Sequence, residues 1–261
     1  MLLIHGFGNE AHIWDDFAPA VASYYRVIAL DLRGHGDSDW DTQKRYEYDD
    51  HVRDLECVVQ ALECERLVMV SHSLGGRISM LYADRHPDRM AGLVIVDSAP
   101  ELDPRGITRI TLEVGENRDP SFASVGEFER TLPHAYPAAT PDALQRMARY
   151  GVRQREGGRF VLKMDPALRG FGEPETSGRE ALVQEQRVTA RLWKALAGIK
   201  CPTLVVRGAA SDFLAPDVAD KMVEDVLPAA SLAVVPQSGH SVMTDNPEGF
   251  GTAVCQFVLG D

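Results

Sequence analysis

Four polar residues in this 261-residue chain each follow a short apolar run: Ser73 after LVMV, Asp97 after LVIV, Asp212 after TLVVRG and His240 after SLAVV. Together they are the makings of nucleophilic catalysis. A serine hydroxyl is too weak an acid to attack a carbonyl unaided. A histidine within hydrogen-bond reach takes its proton, and a carboxylate orients that histidine. The chain order Ser73, Asp212, His240 suits a serine held on a sharp strand-to-helix turn. Asp212 is the first choice for the acid and Asp97 the alternative. Taken singly, Ser73 is equally a helix N-cap, His240 a loop histidine, and either aspartate a turn or capping residue. It is the combination that points to catalysis.

Ser73 lies in LVMVSHSLGGR, an apolar strand running into a tight turn and then a helix. The usual pattern for such a turn is G-x-S-x-G. Here Ser71 stands in the first glycine's place; small size is the physical requirement, and serine meets it. A tetrahedral oxyanion needs preorganised donors, for which the amides of Leu74 and of Phe7 in HGFG are the candidates. His5 and Gly6 shape that loop, and His72 adjoins the nucleophile. Trp193, with Phe128, Tyr136 and Met147, is a candidate wall for an apolar pocket. His5, Gly6, His72 and Trp193 are therefore the substrate-contact candidates. His35, in DLRGHGDSD, reads as a surface-loop residue.

These residues need a scaffold that brings strand ends together. MLLI, RVIAL, RLVMV, LVIV, TLVV and SLAVV read as strands, separated by helical patterns. In YDDHVRDLECVVQALE, residues Val52, Leu55, Val58, Val59 and Leu62 share one face at helical spacing. IWDDFAPAVASYY is also read as helical despite Pro19. Near-continuous apolar strands alternating with helices predict an α/β fold with a mostly parallel sheet covered on both faces. In such sheets ligands bind beyond the carboxyl ends of the strands, where all the candidates fall.

Between residues 100 and 194 the strand-like runs stop, and Pro- and Gly-broken segments such as LPHAYPAATPD and RGFGEPETSG alternate with helical stretches. A structureless loop of that length is improbable, so the segment reads as a mostly helical insertion, with 1–99 and 195–261 forming the core. The insertion carries 15 Lys+Arg against 14 Asp+Glu, while the rest of the chain carries 12 against 25. Thirteen arginines lie in it, from Arg105 to Arg191 and including Arg118 and Arg179. Most fit a solvated surface; a few are candidates to bind an anionic substrate.

The net charge of −12 disfavours nucleic acid, which needs a basic face. No run approaches the roughly 18 apolar residues of a membrane span, and MLLIHGFG has no signal-peptide character. Cys57, Cys64, Cys201 and Cys255 make no metal or redox pattern and read as reduced thiols of a cytoplasmic protein. The eight histidines form no H-E-x-x-H pattern. There is no phosphate loop and no G-x-G-x-x-G after a strand, so neither a metal nor a cofactor is called for. The expected partner is a small-molecule substrate, bound by a monomer or a homodimer.

HGFG, DLRGHGDSD, SHSLGG, RGAASDFLAP and SGHSVMTDNP, spread over nearly the whole chain, together resemble the α/β-hydrolase family. The resemblance implies a serine hydrolase with a helical cap between the family's sixth and seventh strands, where 100–194 falls. It also implies that this chain starts at the family's third strand, giving a six-stranded sheet. A serine at the turn sets it apart from members that use a carboxylate nucleophile. RGAASD has one residue more between Gly208 and its aspartate than the common G-x-x-D, and some members draw the acid from the position of Asp97. The implied activity is hydrolysis of small carboxylic esters or lactones through an acyl-enzyme on Ser73. C–C bond or amide hydrolysis of an anionic substrate is the alternative. A non-hydrolytic lyase or perhydrolase, or a ligand-binding homologue, are readings of another class.

Overall fold

The structure is a computed structural model and describes residues 1–106, 108–109, 120–170 and 178–260. In chain order the strands are β1 (Leu2–Ile4), β2 (Ile28–Leu30), β3 (Leu67–His72), β4 (Met90–Val96), β5 (Ser121–Phe122), β6 (Val152–Gln154), β7 (Phe160–Leu162), β8 (Thr203–Gly208) and β9 (Ala230–Val235). Six of them form one sheet in the order β2-β1-β3-β4-β8-β9. Every pairing in it is parallel. All its carboxyl ends therefore point to the same edge, and the predicted candidates converge there.

Side-chain alternation along the strands builds two cores. Leu2, Ile4, Met69, Leu93, Ile95 and Val205 face one side, and there meet Val52, Leu55 and Val59 of the helix Tyr48–Ala61. Leu3, Val70, Val94, Val96, Leu204 and Val206 face the other, against Trp14, Phe17 and the C-terminal helix Pro247–Leu259 through Phe250 and Val254. Near-continuous apolar strands are the signature of a sheet covered on both faces. The segment read as a helix around Pro19 forms a 3-10 turn, Ala11–Trp14, and a single helical turn, Ala18–Val21. Proline, lacking an amide hydrogen, is tolerated in the first turn.

Beside the helices Val125–Glu129, Leu132–Ala135 and Pro141–Tyr150, the mostly helical insertion holds an antiparallel sheet of three short strands, β5, β7 and β6. Strands of two or three residues are too short to show an alternation in the sequence. The core does not resume at residue 195. The helix Gly178–Gly198 crosses that point, with Leu192, Ala195 and Leu196 already in the core against Ile78 and Leu81. Arg118, residues 171–177 and the side chain of Arg179 lie outside the described residues.

Candidate active site

Ser73 stands between the end of β3 at His72 and the helix Leu74–Arg85. Its backbone has φ 51 and ψ −116, in the left-handed half of φ that L-residues rarely occupy. Such a conformation persists only where the surroundings force it. The forcing is visible at Gly75, where a Cβ would lie 2.6 Å from the His5 carbonyl oxygen and 2.8 Å from that of Ile4. At Gly76 it would lie 2.6 Å from Ser98 Cβ. Ser71 is tolerated because its buried hydroxyl has a partner, Ser79 Oγ at 2.7 Å.

His240, in the loop after β9, places Nε2 3.0 Å from Ser73 Oγ. Its Nδ1 lies 2.8 Å from Oδ2 of Asp97, at the end of β4. Asp97 is 1% exposed, has φ 43, and accepts further hydrogen bonds from Ser211 Oγ at 2.6 Å and the Gly208 amide at 3.1 Å. The first choice for the acid is thus corrected. Asp212 does not bond His240; Arg109 holds it in a bidentate pair, Nε to Oδ2 at 2.8 Å and Nη2 to Oδ1 at 3.0 Å. The extra residue in RGAASD is the cause. Ser211 occupies the third position after Gly208, where the common spacing puts the acid, and Asp212 is carried one residue beyond it.

Two rings pack against His240. Phe213 stacks on it at 3.7 Å between ring centroids and 20° between planes, and His72 sits 4.6 Å away at 45°. Arg109 lies 4.9 Å from the centroid of the Phe213 ring. Burial pushes the Asp97 carboxyl up and the His240 imidazole down, and the Arg109 charge adds to the second effect. Burial also pushes Asp212 up, but the Arg109 pair outweighs it and holds that carboxyl below its ordinary value.

The substrate-contact candidates separate. Gly6 lies against Ser73: a Cβ there would be 2.7 Å from His72 Nδ1 and 2.9 Å from Ser73 Cβ. His5 is fully buried. Its Nδ1 donates to the Gly6 carbonyl (2.7 Å) and its Nε2 accepts from the Leu32 amide (3.0 Å), so it fastens the loop and offers no ring nitrogen to a ligand. Its imidazole is pushed down to about 4, by burial first. His72 is buried, and its Nε2 donates to the His240 carbonyl at 2.9 Å. Trp193 packs beside the core with Lys221 Nζ 4.4 Å from its ring centroid, and it lines no cavity around Ser73. His35, read as a surface residue, is fully buried in edge contact with His5 and Phe7.

A cavity of about 310 Å³ opens over Ser73, walled by Phe7, Leu74, Tyr48, His51, Arg77 and Phe213 among others. Leu74 is the first residue of its helix, so its amide has no intrahelical acceptor. Arg77, one turn further on and 5% exposed, brings a guanidinium to this cavity. It donates to the Ala99 and Pro100 carbonyls and to the Tyr48 hydroxyl. Among the described residues no group of three or more His, Cys, Asp or Glu side chains is placed to hold a metal ion.

The sequence matches the family described as alpha/beta hydrolase fold over residues 1–247. The chain belongs to the α/β-hydrolase fold family. It is 26% identical over 258 residues to the 2-(acetamidomethylene)succinate hydrolase of Mesorhizobium japonicum, covering 99% of this chain and 87% of that one. It is 28% identical to esterase Rv0045c of Mycobacterium tuberculosis, over 95% of this chain and 78% of the relative. The crystal structure of an E-2-(acetamidomethylene)succinate hydrolase superposes with a TM-score of 0.84 at 25% identity, covering 99% of this chain and 90% of that one.

Within this α/β-hydrolase fold, sequence reasoning missed Ser211, Phe213, Arg109 and Arg77. Ser211 had a signal in the lengthened Gly208–Asp212 spacing, and Arg77 one in its place four residues after Ser73. Arg109 and Phe213 had none, because they meet His240 only through the fold.

Proposed function

We propose that the protein is a serine hydrolase of carboxylic esters or lactones, with Ser73 as nucleophile, His240 as general base and Asp97 as the acid that orients it. The observation that carries this reading is the linked pair of contacts at His240, 3.0 Å to Ser73 Oγ and 2.8 Å to Asp97 Oδ2, at a strained turn facing a cavity. His240 Nε2 takes the hydroxyl proton as Oγ attacks the carbonyl carbon. The Phe7 and Leu74 amides stabilise the oxyanion. The imidazolium returns its proton to the leaving oxygen, and an acyl-enzyme remains. Water, deprotonated by His240, then attacks the ester carbon and releases the acid and free Ser73.

p-Nitrophenyl acetate tests it. The wild type turns it over, and Ser73→Ala lowers kcat by about 10³-fold or more. Failure of the folded wild type on a panel of esters and lactones would sink the reading.

A second reading has one specific support. Arg77 brings a guanidinium into the Ser73 cavity, shared there with Glu185 Oε1 at 3.7 Å, and arginine suits a carboxylate. A relative named for a succinate derivative points the same way. On that reading the substrate is an anion, cleaved at an amide or C–C bond. Comparing neutral with carboxylate-bearing esters and amides decides between them, since only the second reading requires the negative charge.

A further inference from the structure

His240 is held by two kinds of contact. At its edge the ring nitrogens meet Ser73 and Asp97. On its face lies the ring of Phe213, stacked at 3.7 Å and 20°. The edge contacts fix where the nitrogens aim, and the face contact resists tilting of the imidazole.

Phe213 is in turn held from the start of the insertion. It is 2% exposed, its carbonyl accepts from the Asp103 amide at 3.1 Å, and its amide donates to Ser211 Oγ at 3.1 Å. At Gly106 a Cβ would lie 2.9 Å from the Phe213 ring and 2.7 Å from the Asp212 carbonyl oxygen. The guanidinium carbon of Arg109 lies 4.9 Å from the centre of the same ring. Asp212 grips that guanidinium with both carboxylate oxygens, and a fork of this kind sets the plane of the group as well as its position. Arg109 is not among the residues that wall the Ser73 cavity. Its place is beside the support of the histidine.

We infer that Arg109 is a positioning residue for His240, acting through the Phe213 ring and through its own charge, with Asp212 as the anchor that keeps it there. The inference rests on the serine-hydrolase reading and deepens it: the aspartate that does not bond the histidine still serves it at one remove.

The charges around His240 make the inference specific. Asp97 at the end of β4 and His72 at the end of β3 face it directly. Asp245, further along its own loop, accepts the Gly239 amide at 2.8 Å. Arg207 of β8 is turned to the Leu214 and Ser211 carbonyls. After burial, the Arg109 charge is the next cause that keeps the imidazole unprotonated, and Asp212 opposes it. The two halves of one ion pair therefore push the histidine in opposite directions.

The test is the acid limb of kcat/KM against pH for p-nitrophenyl acetate, which reports protonation of the free enzyme's base. Arg109→Met leaves the Asp212 carboxylate uncompensated and is expected to move the limb to higher pH by about half a unit or more. Asp212→Asn leaves the guanidinium uncompensated and is expected to move it to lower pH. A pair that only fastened the insertion would move the limb the same way in both variants, or in neither, and either result overturns the inference. On the plateau, Arg109→Met should lower kcat by about three- to tenfold with KM within about twofold of the wild type, and should cost nothing further in a Phe213→Leu background. An equal loss in both backgrounds also overturns it. If the folded wild type cleaves no ester, the hydrolase reading falls. Carbon-13 histidine NMR, with the His240 signal assigned by its loss in His240→Gln, then decides the positioning: titrations displaced in opposite directions in the two variants support it, and displacement together or none overturns it.

Discussion

Asp97 Oδ2 sits 2.8 Å from His240 Nδ1, while Asp212, the acid first expected from the sequence, is held by Arg109. The consequence is a difference between two conservative variants. Asp97→Asn removes the carboxylate that fixes the histidine tautomer and is expected to lower kcat by about 10³- to 10⁴-fold. Asp212→Asn leaves that contact intact and is expected to cost less than about tenfold. Steady-state kinetics on p-nitrophenyl acetate checks both; a collapse in Asp212→Asn alone would reverse the assignment.

Ser211 donates to the same Asp97 oxygen that faces His240. A carboxylate at position 211 therefore starts within reach of the imidazole. Introducing Ser211→Asp into the Asp97→Asn background should restore about tenfold or more of the lost kcat. No gain in a folded double variant would show that strand β8 cannot supply the acid here.

The turn at Ser73 makes a prediction about folding. Gly75→Ala would push a Cβ against two backbone carbonyls that cannot move aside, so neither soluble yield nor activity should survive. Ser71→Gly restores the usual pattern but removes the buried bond to Ser79. It is expected to cost about 1 kcal/mol in urea unfolding while kcat stays near the wild-type value. A large loss of kcat in Ser71→Gly would mean that the serine does more than fit.

The sheet was legible because its strands are near-continuous apolar runs and its turns carry strong signals. Ser73, Asp97, Asp212 and His240 were legible as candidates because each follows a strand. The choice between the aspartates was not legible. It depends on Arg109, which lies 103 residues from Asp212 in sequence and meets it only after folding. Trp193 was misplaced for a similar reason: an aromatic in a helix looks the same whether it faces a ligand or Lys221. The strands β5, β6 and β7 were lost because each is shorter than one readable period of alternation.

Glu10 gives a pH signature. It is 5% exposed, and burial raises its carboxyl from the ordinary 4.5 to about 7. The folded state therefore holds this proton more tightly than the unfolded chain. That contribution to stability is complete below the ordinary value and is lost as pH rises through about 7. Glu10→Gln keeps an acceptor for the His12 amide and removes the buried charge. The variant should match the wild type in thermal midpoint near pH 4 and exceed it by several degrees at pH 8. An equal midpoint at pH 8 would show that the buried charge costs nothing.

The central claim is that Ser73 is a nucleophile activated by His240, and covalent labelling with a fluorophosphonate probe reads it most directly. Intact-mass and peptide analysis of the labelled wild type should place a single adduct on the peptide carrying Ser73. Ser73→Ala should take up no label, and His240→Ala should take it up far more slowly. A folded wild type left unlabelled at Ser73, or labelled equally fast without His240, would contradict the account.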